Sequence, residues 1–111
     1  MVAIPAKADG AGSTVNGGEL LFLALATCYC NDVYREAGLA ELRVDRVEVT
    51  VTGEFAGRGD PASNVRYAVR VESPEPESAI RALLAETDRV AEIHDTLRRG
   101  VDVKLGEVTV E

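Results

Sequence analysis

The chain is short of the residues that usually announce a function. Among 111 residues there is no tryptophan, there are two cysteines and one histidine, and twelve basic residues face nineteen acidic ones. Two cysteines in a chain this long do not build a secreted disulfide scaffold. A net charge of −7, with a pI near 4.7, repels phosphate backbones, and no Lys/Arg stripe offsets it locally. No nucleic-acid partner is therefore expected. A membrane-surface role is not expected either, because no helical segment carries a basic face. The longest apolar run, Leu20 to Thr27, falls far short of the roughly 20 residues that a membrane span needs. The opening "MVAIPAKADGAGST" has no basic start followed by an apolar stretch, so no signal peptide is expected. These absences point to a cytoplasmic protein whose thiols stay reduced.

What the chain does have is ordinary globular composition, 46% hydrophobic and 28% charged, enough for one domain with a genuine core. Residues 1–16 are rich in Gly, Ala, Ser and Thr and read as a flexible arm; residues 17–111 read as the single domain. A helix is predicted from Glu19, with Asn16 and the Gly17–Gly18 pair at its cap and Gly38 as its terminating C′ glycine. Its first half is apolar all round, which predicts burial on every side, whereas "NDVYREA" should emerge into solvent. "RVEVTVTGEF" and "NVRYAVRVE" each alternate, placing Val47, Val49 and Val51, then Val65, Tyr67, Val69 and Val71, on inward faces. The loop between them, "AGRGDPAS", contains an Arg-Gly-Asp tripeptide, read here as turn chemistry.

After Ser73–Glu77, which should cap it, a helix carries Ile80, Leu83, Leu84, Thr87 and Val90 at helical spacing. A break at Ala91–Ile93 should split off a short second helix that Gly100 ends. "VDVKLGEVTV" then predicts a last strand, with a β-bulge at Gly106 where the alternation slips by one. The expected fold class is α+β: a small antiparallel sheet packed on a long, buried central helix. One sheet covers one side of such a helix. A second copy of the chain is the simplest cover for the other side, so a homodimer is expected, with residues 19–30 near its centre.

The chemistry-bearing residues sit at the end of the apolar run, in "GGELLFLALATCYCNDVYREAG". Cys28 and Cys30 are two apart, and such residues on a helix do not face each other, so a disulfide between them needs local unwinding. Cys-x-Cys with one distant His is too few soft ligands for a zinc site in one chain. Neither a metal nor a cofactor is expected. Cys30 reads as a small buried hydrophobe, and Tyr29 and Tyr34 read as packing residues or as the lining of a pocket beside Cys28.

"GGELLFLALATC" followed by "VDRVEVTVTGEF" and "AEIHDTLRRGVDVKLGEVTV" resembles, in order and spacing, the OsmC/Ohr family of osmotically inducible and organic-hydroperoxide-resistance proteins, over Gly17 to Val110. The resemblance implies an intertwined homodimer with a peroxidatic cysteine on the central helix, and that cysteine falls on Cys28. It also implies thiol-dependent reduction of a small organic hydroperoxide. Three parts of the family pattern are missing. The resolving cysteine falls on Ala91, so an external thiol reductant is needed, or Cys30 of the other chain. The acidic site residue falls on Gly18. The activating arginine belongs to an N-terminal segment whose only basic residue here is Lys7. Arg35 shares the face of Cys28 but lies two turns along, about 10 Å by helix rise. His94, in the segment that the family places against the cysteine, is the candidate activator of Cys28 in a Cys–His pair; its other reading is an exposed histidine beside Asp95. Two functions follow: a one-cysteine peroxidase, or a divergent member without peroxidase activity that binds a small apolar ligand or partner in the cavity between subunits.

Overall fold

The computed structural model describes all of residues 1–111. Its elements run α1 (Gly17–Leu39), β1 (Arg46–Glu54), β2 (Ser63–Glu72), α2 (Glu77–Val90) and α3 (Glu92–Arg99). The fold is α+β, with β1 and β2 antiparallel and joined by an exposed loop that contains the Arg-Gly-Asp tripeptide. The arm holds no helix or strand; it turns back on itself through an Ala6–Ser13 bridge.

Helix α1 starts where its cap chemistry is complete. The Asn16 side chain accepts from the Glu19 N–H at 2.8 Å, and the Glu19 carboxylate accepts from the Asn16 N–H at 3.1 Å. This reciprocal box satisfies two backbone donors that would otherwise have no partner. Gly38 does not end the helix: α1 passes through it to Leu39, and the left-handed residue just beyond is Glu41, with φ 56°. The stop comes from Leu42, whose N–H returns to the Ala37 carbonyl. Helix α2 also starts differently from expectation. Pro76 is its cap and no side chain caps it; the Ser73 hydroxyl instead donates to the Arg43 carbonyl and accepts from the Glu75 N–H. The break at Ala91 and the end of α3 at Gly100 (φ 69°) stand where the sequence puts them.

In the hairpin, Val47 faces Val71, Val49 faces Val69 and Val51 faces Tyr67. This inner face packs on a core of Tyr29, Val33 and Ala37 from α1, Ile80 and Leu83 from α2, and Ala91. Val65, expected inside, is 41% exposed near the open end of the sheet. The register irregularity falls at Gly53, between Thr52 and Glu54, not at Gly106. A Cβ at Gly53 would come within 2.5 Å of the Phe22 ring, so glycine there admits the Phe22–Phe55 stack.

The last predicted strand does not form. Residues 101–111 carry no secondary structure, and Val101, Val103, Leu105, Val108 and Val110 are exposed. A strand exists only when it is paired, and within one chain nothing pairs with this segment. The burial predicted all round α1 is likewise half realised. Tyr29, Val33 and Ala37 are buried against the sheet and α2, whereas Leu20, Leu23 and Tyr34 form part of an outward stripe, Leu23 at 59% exposure.

Candidate functional site

Cys28 lies on α1 between its exposed stripe and its buried face, and is partly buried. One turn on, at i+4, is Asp32, which is buried. The Cys28 thiol donates to Asp32 Oδ2 at 3.5 Å, and Glu92 Oε2, at the start of α3, is 3.9 Å from the sulfur. Arg35 closes the group from outside: its Nη1 is 2.8 Å from Glu92 Oε1 and 3.4 Å from Asp32 Oδ1. The guanidinium that helix rise puts two turns from Cys28 thus reaches it through Glu92.

This environment holds the proton on sulfur. Burial pushes the Cys28 thiol up, the Asp32 and Glu92 carboxylates push it further, and the backbone N–H of Ile93 alone works the other way. Asp32 is itself pushed up, by burial first and then by Glu92. Glu92 is held down to about 2, by its own backbone N–H and then by Arg35. Of the two carboxylates, Asp32 is therefore the better proton acceptor, and it touches the sulfur. One thiol and two carboxylates converge within 4.8 Å, but Arg35 already supplies the positive charge at Glu92.

His94 is not hydrogen-bonded to Cys28. It is 4% exposed, both ring nitrogens lack a partner, and it packs against Tyr67 (4.8 Å between ring centres) and Tyr29 (5.7 Å). The reading of His94 as an exposed histidine is thereby overturned: the register of α3 turns it inward, under the sheet. Burial, and then Arg98, push its pKa down, which favours the neutral ring. Tyr29 is also buried; its hydroxyl donates to the Leu84 carbonyl at 2.8 Å, and burial pushes its pKa up to about 12. Leu21 and Leu25 line a cavity of about 480 Å³ with Tyr67 and His94, and Cys28 is not among its walls. Cys30 is partly buried and free. Lys7 stays with the arm, its side chain lying over Gly12.

Asp32 and Glu92 are the site residues that sequence reasoning missed. Asp32 was legible from its i+4 spacing to Cys28. Glu92 adjoins Ala91, where the family pattern has its second cysteine, but only the break between α2 and α3 aims it at the sulfur. A Cβ at Gly18 would lie 2.7 Å from the Phe55 ring, so any side chain at this position requires that ring to move.

Among curated proteins none is significantly similar in sequence. Solved structures share the fold. An OsmC-like protein from Mycoplasma pneumoniae superposes with a TM-score of 0.69 at 20% identity, over 85% of this chain and 66% of that one. An OsmC-like hydroperoxide resistance protein from Jannaschia sp. CCS1 gives 0.59 at 18% identity, over 89% of this chain and 77% of that one. An OsmC-like protein of unknown function from Vibrio cholerae gives 0.57 at 15% identity, over 76% and 61%. The chain thus spans about two thirds or less of the length of the Mycoplasma and Vibrio proteins. The OsmC-like protein family profile matches residues 10–106, nearly the whole chain, and together with the shared fold this makes the chain a member of the OsmC-like family.

Proposed function

We propose that this chain reduces organic hydroperoxides with Cys28 as its single reacting thiol. The observation that carries the reading is the contact between the sulfur and Asp32, a buried carboxylate with raised proton affinity. As sulfur attacks the terminal hydroxyl oxygen of ROOH, the thiol proton passes to Asp32. The S–O bond forms, the O–O bond breaks, and the departing alkoxide takes that proton to leave as ROH. Cys28 becomes a sulfenic acid. One external thiol converts it to a mixed disulfide and water, and a second releases Cys28 and a disulfide. Ala91 is fully buried where the resemblance puts a resolving cysteine, so the reductant is an external thiol or Cys30 of the other chain. A reducing cytoplasm would supply such thiols.

The working unit in this proposal is a homodimer. Leu20, Leu23 and Tyr34 along α1 are exposed, and so are the apolar residues of 101–110. A second copy would cover α1 and offer the tail a strand to pair with, as well as an apolar wall beside Cys28 that favours organic peroxides.

Consumption of one equivalent of cumene hydroperoxide by the reduced protein tests the reading, with dimedone trapping of the sulfenic acid. Turnover should survive Cys30→Ser and vanish in Cys28→Ser. A rate no greater than that of a free thiol refutes it. The raised proton affinity of Cys28 favours a second reading in that event, a divergent family member that binds a small ligand without peroxidase activity.

A further inference from the structure

The cavity between α1, the hairpin and α3 is walled by Leu21, Leu25, Val51, Val65 and Leu97, with the rings of Tyr67 and His94 among its lining. Its volume, about 480 Å³, is in the range of small-molecule sites. His94 is the anomaly. It is 96% buried, by its 4% exposure, and neither nitrogen has a hydrogen-bond partner, although a buried imidazole normally finds at least one. Its neighbours do not serve it. The Tyr67 hydroxyl donates to Asp88, and Arg98, also on the cavity wall, is engaged with the same carboxylate at 2.7 Å.

We infer that this cavity binds an uncharged molecule with an apolar body and a hydroxyl head, an alcohol or a phenol, whose hydroxyl pairs with His94. The walls are apolar. Arg98, the one cation among them, is bound to Asp88, which disfavours a carboxylate head. A neutral imidazole offers one N–H and one lone pair, matching a hydroxyl, which both gives and takes. Both ring nitrogens are buried as they stand, so the proposed pairing requires the imidazole to turn a nitrogen toward the cavity about its broad terminal torsion. The inference deepens the ligand-binding reading and is independent of the peroxidase one, because Cys28 takes no part.

The chain's single histidine makes the test direct, since its imidazole resonances assign themselves. 4-Butylphenol is titrated into the intact protein while the His94 Hε1 and ring nitrogen resonances are followed, with 4-butylanisole as the probe that cannot donate. Saturable shifts are expected, with the phenol binding about fivefold to tenfold tighter, as one neutral hydrogen bond allows. His94→Phe, in which the ring resonances of Tyr67 on the same cavity wall report binding instead, should abolish that preference, and Leu97→Trp, a change at the half-exposed rim, should block both probes. Cys28→Ser should bind as wild type does, even if peroxidase turnover proves absent. Equal affinity for the two probes overturns the proposal, as does an absence of saturable shifts. Binding that appears only after residues 101–111 are deleted also overturns it, because the tail would then be the natural occupant.

Discussion

Asp32→Asn separates two roles that the geometry gives to one carboxylate. Two unit charges 3.5 Å apart repel by about 1.2 kcal/mol even in water-like surroundings, roughly a tenfold change in thiolate population. Solvent reaches Cys28, so this screened figure is the appropriate one. In a Cys30→Ser background, where only Cys28 reports, alkylation by iodoacetamide at neutral pH should therefore speed up by roughly tenfold in Asp32→Asn. Hydroperoxide consumption should fall instead, because the amide cannot accept the thiol proton and return it to the alkoxide. Opposite movement of the two rates is the signature, measured by stopped flow on the same preparations. If both rates rise together, Asp32 only suppresses the thiolate and the proton-transfer role is wrong. If neither moves, the carboxylate is not at the sulfur.

The pKa of His94 is lowered by burial and by Arg98, against the opposing charges of Asp88 and Asp95, and its ring faces Tyr29 on α1 and Tyr67 on β2. Below pH ~6.5 the unfolded chain takes up the proton that the folded chain refuses, so stability should fall with pH by up to about 1.4 kcal/mol per unit; urea melts across that range should show the slope, and His94→Phe should flatten it. Gly53→Ala should cost roughly 1 kcal/mol or more as its methyl meets the Phe22 ring, and Phe22→Leu in the same chain should recover part of the loss in thermal melts. Deleting residues 101–111 should convert a dimer to a monomer in sedimentation at micromolar concentration; a wild-type chain that is already monomeric there would refute the pairing role of the tail.

Most of the fold was legible because its signals are local. Alternation along β1 and β2, the Asn16–Glu19 box and the break at Ala91 depend on neighbours in sequence, and such patterns act wherever the chain goes. Gly38 misled because a glycine permits a helix end without requiring one; the Leu42 contact with Ala37 places the stop after it. Cys28 stood out through order and spacing, and Asp32 stood beside it at i+4. The rest belongs to tertiary structure. Glu92 is 64 residues from Cys28 along the chain, and only the turn from α2 into α3 brings it to the sulfur, with Arg35 behind it. His94 is drawn under the sheet by the register of α3, which no composition reveals. The last segment has strand alternation, but a strand needs a partner, and pairing is a property of the assembled sheet and not of the segment. Sequence alone thus determined the helices, the hairpin and the sulfur to which the proposed chemistry is assigned. The tertiary structure decided which charges surround that sulfur, because proton affinity depends on burial and on distances that the chain sets only when folded.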